Sequence, residues 1–236
     1  MKYNRVLLKL SGEALSGGAD NILSAPFLKA VGEQVKKCMD EGIQVAIVCG
    51  AGNIWRGGRQ HGHNIDRVRA DQMGMMGTMI NSLAIQDAII KAGGKCEVMS
   101  AVPMTQICEI YSQYKAIEHL EKGTAVVLAC GTGYPFFTTD TGALLRAAEL
   151  KVDVAMFAKN VDGVYDKDPM KYPDTAVKYD RITYAQMLEQ DLKAIDTAAA
   201  ALGRENNLKV LMFKLDKAEN IYTAAMGAPV GTILEN

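Results

Sequence analysis

Lys9 stands in Lys9-Leu10-Ser11-Gly12, at the end of an apolar run that begins at Arg5. An ammonium on a buried strand is costly unless it meets an anion, and a glycine turn follows it directly. Arg56 lies just beyond a second glycine turn, Gly50-Ala51-Gly52-Asn53. Arginine suits two-point contact with phosphate. The densest cluster is Gly131-Thr132-Gly133-Tyr134-Pro135-Phe136-Phe137-Thr138-Thr139-Asp140, where glycines, threonines and an aspartate surround two apolar rings. A fourth turn is Asn160-Val161-Asp162-Gly163. Glycine beside a hydroxyl or amide lets backbone N–H groups approach an anion.

Each of these residues also has a plainer reading. Lys9 could be an edge lysine reaching water, Arg56 a solvated loop arginine, and Thr139-Asp140 a helix cap. Any α/β chain needs glycine at sharp strand-to-helix turns. Four such turns in succession favour a phosphate ligand. Two usual phosphate motifs are missing. Gly94-Lys95 runs into Cys96 with no earlier glycine at P-loop spacing. Gly50-Ala51-Gly52 meets Trp55, and Gly131-Thr132-Gly133 meets Phe136, where a dinucleotide fingerprint needs its third glycine. A P-loop kinase and a standard dehydrogenase are therefore disfavoured.

The elements that must carry these turns alternate along the chain. Apolar runs at 5–10, 44–49, 97–100, 125–130, 152–157, 209–213 and 231–234 read as strands. Those at 44–49 and 125–130 are unbroken, as in strands covered on both faces. Helices are expected from Pro26 to Gly42, over 64–91, 105–121, 141–149 and 196–205, and over 219–226. Thr183-Tyr184-Ala185-Gln186 fits a capping box, and 161–178 reads as a loop or small hairpin. The pattern implies a three-layer αβα sandwich with a mostly parallel central sheet, whose ligands bind beyond the carboxyl ends of the strands.

Composition narrows the partners. The 236 residues are 49% hydrophobic and carry 26 Lys and Arg against 27 Asp and Glu. That is enough apolar content for a full core and too little basic excess for a nucleic-acid binder. No apolar run reaches the ~18–20 residues that span a bilayer. Residues 1–5 lead into a strand rather than a signal peptide. Cys38, Cys49, Cys96, Cys108 and Cys130 show no paired spacing and read as small core side chains, which points to the cytoplasm. His61-Gly62-His63 reads as solvated, so no metal site is expected. Met73, Met75, Met76 and Met79 read as packing or subunit contact, and His119 as a helix-face residue.

Five strings, in order, resemble the motifs of bacterial uridylate (UMP) kinases of the amino-acid kinase fold. They are Lys9-Leu-Ser-Gly-Glu-Ala14, Gly50-Ala-Gly-Asn-Ile-Trp-Arg-Gly57, Asp71-Gln-Met-Gly-Met75, the Gly131 to Asp140 cluster, and Val161-Asp-Gly-Val-Tyr-Asp-Lys-Asp-Pro169. The resemblance spans essentially the whole chain. It implies one domain, with an acceptor lobe over about 1–150 and an ATP lobe over about 151–236. It implies transfer of the γ-phosphoryl of ATP to UMP, with Mg²⁺ bound to ATP, for pyrimidine nucleotide synthesis.

By motif position, Lys9, Leu10, Ser11, Gly12, Gly52, Arg56, Lys159, Tyr165 and Asp168 would contact ATP. Ala51, Asp71, Thr132, Gly133, Tyr134, Pro135, Phe136, Phe137, Thr138 and Thr139 would frame UMP, with Asp71 on the ribose. Lys9, Arg56, Asp140 and Asp196 would serve the transfer, Asp196 by orienting the lysine. The family also implies a homo-oligomer, as a hexamer, with GTP as activator and UTP as inhibitor. Three positions depart from the pattern: Ala51 replaces a glycine, Tyr134 an asparagine, and Lys159 a small polar residue. Residues 16–23 have the family's length without its aromatic and glycine pattern. Two rivals remain at this point: a kinase for a carboxylate or carbamate acceptor, and a nucleotide-sensing regulator without turnover.

Overall fold

The computed structural model describes residues 2–17, 21–55 and 65–236. Arg56, Gly57, His61 and His63 lie outside the described residues. The chain enters as β1 (Arg5–Leu10), α1 (Gly12–Leu15), α2 (Ala25–Asp40), β2 (Gln44–Cys49), α3 (Arg67–Lys91), β3 (Cys96–Ser100) and β4 (Glu109–Ile110). It continues as α4 (Gln113–Glu121), β5 (Ala125–Ala129), α5 (Thr139–Leu150), β6 (Val154–Lys159), β7 (Val164–Tyr165), β8 (Lys178–Tyr179) and β9 (Arg181–Thr183). It closes with α6 (Tyr184–Glu189), α7 (Thr197–Glu205), β10 (Val210–Lys214), α8 (Glu219–Ala225) and β11 (Thr232–Glu235).

Nine strands form one sheet in the order β4-β3-β5-β2-β1-β6-β10-β11-β9. Among the described residues, β10–β11 is the one antiparallel pair of this sheet. β7 and β8 make a separate antiparallel hairpin. Side chains alternate across each strand, and the two faces are packed separately. Val6, Leu8 and Leu10 join residues of α2, α3 and α8 in one core. Leu7, Phe157 and Val48 join residues of α4, α5, α6 and α7 in the other. This is the expected three-layer arrangement. β1 runs between β2 and β6, the first a chain-neighbour and the second far along the sequence. The crevice at such a switch in strand order is where open parallel sheets bind ligands.

Several boundaries differ from the sequence expectations. The span 105–121, expected as helical stretches, also holds a strand: β4 pairs with β3 at Met99↔Glu109 and Ser100↔Ile110, and α4 starts only at Gln113. A two-residue edge strand has too few positions to show alternation. α3 starts at Arg67 because the Asp66 carboxylate caps it, accepting from the Val68 and Arg69 N–H groups at 3.0 and 3.3 Å. α5 starts two residues earlier than expected, and its cap is Thr138, whose Oγ1 accepts from Asp140 and Thr141. Asp140 is thereby released from capping duty. The capping box at Thr183 and Gln186 is present. No helix among the described residues is long and apolar enough to cross a membrane.

Candidate active site

Lys9 is the last-but-one residue of β1 and sits opposite Phe157 of β6 in the sheet register. Lys159 follows two residues later on β6, so it projects from the same face. Both ammoniums lie 5.7 Å from the centre of the Phe157 ring. Asp140, in the first turn of α5, comes between them. Its Oδ1 is 2.8 Å from Lys9 Nζ and its Oδ2 is 3.3 Å from Lys159 Nζ. The side chains are only 9%, 15% and 23% exposed for Lys9, Asp140 and Lys159.

One carboxylate between two ammoniums leaves one positive charge in excess. Burial pushes the Asp140 carboxyl up, but the two ammoniums outweigh it and hold it below the ordinary carboxylate range. Burial likewise dominates at Lys159 and sets its ammonium below the ordinary lysine value, against the opposing pull of Asp140. The N-terminus of α5 adds a partial positive charge at the same place. The cluster is therefore a buried site in which two ammoniums share one directly paired carboxylate, with the Asp196 charge near enough to act on Lys159.

Two turns meet beside it. Gly12 follows β1, and a Cβ there would fall 2.5 Å from Gly52 N and 2.8 Å from Gly50 O. The turns after β1 and β2 can abut only because position 12 has no side chain. Leu10 is buried, its carbonyl accepting from Gly50 N–H at 3.0 Å, and Ser11 Oγ caps α1. α3 fixes these turns through buried polar side chains. Asn81 donates to Gly50 O at 2.7 Å, and Thr78 Oγ1 accepts from Cys130 N–H at 2.9 Å. Arg146 of α5, 6% exposed, donates to Gly131 O at 3.0 Å from beneath.

A cleft of about 480 Å³ opens beyond these turns. Among the residues expected to frame the acceptor, Ala51, Asp71, Thr132, Tyr134, Phe137, Thr138 and Thr139 all line it, as does Gly52. Gly133, Pro135 and Phe136 shape the loop instead. Gly133 has φ +81° and Phe136 φ +70°, the latter uncommon for a bulky residue. Asp71 Oδ2 accepts from Phe136 N–H at 2.8 Å and from Arg67 Nε at 2.9 Å. Cys49 and Cys130 also line the cleft, and burial pushes the Cys49 thiol up to about 12. All five cysteines are free, and all but Cys108 are buried, as core side chains should be.

A second cleft of about 410 Å³ is lined by Asp140, Lys159 and Asp196 with residues of the α6–α7 connection. Asp196 caps α7, accepting from Ala199 N–H at 2.9 Å. It also accepts from the Thr138 and Thr141 hydroxyls. Among the described residues it makes no ion pair with Lys9; its charge acts on Lys159 from nearby, and Thr138 ties it to the start of α5. Tyr165 and Asp168 sit in the segment after β6. Tyr165 donates to Asp162 at 2.6 Å, and Asp168 turns its carboxylate onto Met170 N–H at 2.9 Å.

Sequence reasoning missed Arg67, Arg146, Thr78 and Asn81. Arg67 and Arg146 carry no local motif. Thr78 and Asn81 lie further along α3 than Asp71, in a stretch read only as packing. Lys159, expected among the ATP contacts, also pairs with Asp140 at the charge cluster. The Ala51 methyl faces α3, where a Cβ on Gly77 would lie only 2.8 Å from it. The methyl thus fills the space left by a glycine, and Ala51 needs no positive φ. Tyr134 is 70% exposed, and its backbone is what Thr132 Oγ1 holds, accepting from Tyr134 N–H at 3.1 Å.

A mostly parallel sheet with a cleft on either side of the α5 start, and two half-buried to buried lysines paired to Asp140 there, fits a scaffold for transfer between anionic reactants. The amino acid kinase family model matches residues 4–214, and the chain belongs to that family. A uridylate kinase of Xanthomonas oryzae pv. oryzae is 46% identical over 235 residues, covering 100% of this chain and 98% of that protein. The crystal structure of UMP kinase from Bacillus anthracis superposes with a TM-score of 0.95 at 35% identity, covering 100% of this chain and 97% of that one. That of UMP kinase from Ureaplasma parvum gives 0.93 at 36% identity, with both chains fully covered.

Proposed function

We propose that this chain is a UMP kinase, moving the γ-phosphoryl of ATP to the phosphate of UMP to give UDP for pyrimidine nucleotide synthesis. The carrying observation is the Lys9–Asp140–Lys159 cluster, with Asp140 and Lys159 on the wall of the second cleft and Thr138 and Thr139, next to Asp140 at the start of α5, on the wall of the first. The acceptor is a phosphate oxygen, already ionised at neutral pH, so no general base is needed. Phosphoryl transfer is mainly positioning and charge neutralisation. Asp140 holds the two ammoniums in place for the phosphates. Incoming phosphates then take over those contacts, and the lysines neutralise charge as it spreads over the transferred group.

On this reading Ala51, Asp71 and the residues from Thr132 to Thr139 hold UMP, with Asp71 on the ribose. Lys9 to Gly12, Gly52, Arg56, Lys159, Tyr165 and Asp168 serve ATP, and Asp196 orients the centre through Thr138 and Thr141. The acceptor lobe is about 1–150 and the donor lobe about 151–236. Mg²⁺ would arrive with ATP. Among the described residues no three His, Cys, Asp or Glu side chains gather as a cage, and Mg²⁺ is commonly held by substrate phosphates, waters and one or two carboxylates. Asp140 and Asp196 are the carboxylates available at the cluster. When bound, the ion supplies further neutralisation of the phosphate oxygens.

A homo-oligomeric state is supported by exposed Met73, Met76 and Ile80 on one stretch of α3, and the hexamer is carried over by resemblance. Control by GTP and UTP, by resemblance, and cytoplasmic residence, from the unpaired cysteine pattern, complete the proposal. An ADP-release assay with UMP, CMP, AMP, GMP, N-acetylglutamate and carbamate tests it. Turnover should be confined to UMP, or to UMP and CMP if Tyr134 loosens base choice. Turnover with a carboxylate or carbamate would overturn the reading. So would UMP binding without any turnover, which is the behaviour of a regulator.

A further inference from the structure

We propose that Arg67 is a positioning residue that sets the sugar preference of the acceptor cleft, favouring a ribonucleoside over a 2′-deoxyribonucleoside monophosphate. This rests on the reading of that cleft as a nucleoside monophosphate site. Arg67 opens α3, and Asp71 lies one turn further on the same face. Three contacts close a ring. Arg67 Nε donates to Asp71 Oδ2 at 2.9 Å. Phe136 N–H donates to the same oxygen at 2.8 Å. The Arg67 guanidinium lies 5.5 Å from the centre of the Phe136 ring. The ring joins α3 to the loop that carries Thr132, Thr138 and Thr139.

The geometry divides the work within one carboxylate. Both contacts fall on Oδ2, and among the described residues Oδ1 has none. Asp71 is only 14% exposed at its side chain, and it lines the cleft together with Arg67. A carboxylate anchored by one oxygen presents the other in a fixed direction. The natural partner for a buried anionic acceptor is a hydroxyl group, and a ribose offers two side by side. An analogue lacking one hydroxyl leaves the acceptor short of a donor, and such sites discriminate strongly.

Arg67 is 50% exposed, so its pairing adds little to stability. Its effect is on direction. It also braces Phe136 at φ +70°, a conformation that persists only where its surroundings hold it. Without Arg67 the carboxylate keeps one donor and gains freedom to rotate. The sugar contact then weakens, while the phosphate contacts at Lys9 and Lys159 are untouched.

The test is steady-state kinetics on the full chain with UMP and dUMP at saturating ATP, for wild type, Arg67→Met and Arg67→Lys. In Arg67→Met the KM for UMP should rise about tenfold, as for loss of one charge-assisted contact, with kcat and the KM for ATP little changed. The UMP-to-dUMP ratio of kcat/KM should fall by about the same factor. Arg67→Lys should restore part of that ratio, keeping the charge but losing the fork. A ratio that stays at the wild-type value in Arg67→Met overturns the inference while leaving the UMP kinase reading intact. Should that variant fail to fold, an unchanged ratio in Arg67→Lys does the same. A wild type that phosphorylates no nucleoside monophosphate overturns both.

Discussion

Replacing Lys159 with methionine separates what this residue does for stability from what it does for turnover. Its ammonium lies 3.3 Å from Asp140 Oδ2. At an effective dielectric of about 20, that attraction is about 5 kcal/mol before any desolvation is counted. Burial works against it, and burial wins: the Lys159 ammonium titrates below the ordinary lysine value. A lysine in that state holds its proton less tightly than it would in the unfolded chain. Its charge therefore costs stability at neutral pH. Methionine has a similar length and no charge, and Asp140 keeps Lys9 at 2.8 Å.

The Lys159→Met protein should accordingly unfold within about 1 kcal/mol of wild type, or above it, since uncharged replacements of buried ions are often neutral or stabilising. Turnover should move the other way. Loss of one preorganised cation at the transferred group should lower kcat by about 10²-fold. Thermal melts and ADP-release kinetics on one preparation give both numbers. A melting temperature several degrees lower with an unchanged kcat would refute the reasoning, because Lys159 would then be a structural ion-pair partner.

Asp140→Asn should have the opposite stability effect. It leaves two ammoniums, 9% and 23% exposed, without their shared anion. Breaking a buried pair from one side costs about 3–5 kcal/mol, or roughly a 10 °C drop for a chain of this size. The sign with pH follows from the lowered Asp140 carboxyl. Its stabilisation is complete above the unfolded carboxylate value and is lost as pH falls through the native one. The gap between wild type and Asp140→Asn in acid melts should therefore close in that window. In pH–rate profiles, kcat/KM should fall on the alkaline side before the ordinary lysine value of 10.5, as free-enzyme Lys159 deprotonates, and the limb of kcat should lie higher. A kcat/KM profile flat to that pH would contradict it. Gly77→Ala should destabilise by about 1–3 kcal/mol through its clash with the Ala51 methyl, and Ala51→Gly should recover most of the loss in urea melts.

Much of the sheet was readable because its central strands are covered on both faces. Runs such as Val45 to Cys49 and Ala125 to Ala129 have no polar interruption and could be little else. The glycine turns were readable for the same reason, since each follows such a run. The start of α3 was harder. In the middle of α3, Thr78, Asn81 and Ser82 are buried; Asn81 and Thr78 hold the Gly50 and Cys130 turns, and all three blur the helical pattern. β4 and β9 are too short to show alternation.

The site was readable in its parts and not in its assembly. Lys9 was singled out because its charge stood on an apolar strand. Nothing local tied it to Lys159, which meets it only because β6 returns beside β1. The cap expected at Thr139 or Asp140 falls on Thr138, and that one-residue difference frees the Asp140 carboxylate for the lysines. Arg67 pairs with Asp71 one helical turn away, a spacing common to many surface pairs. Its second connection, through Phe136, depends on a positive φ in a loop that no periodicity announces.

The most direct test of the central claim is to follow the phosphorus signals of ATP and UMP by NMR after adding the purified chain with Mg²⁺. The account expects ADP and UDP to appear in equal amounts, with no inorganic phosphate, at a rate cut at least about a hundredfold in Lys159→Met. ADP accompanied by inorganic phosphate, or unchanged signals from both nucleotides, would contradict it.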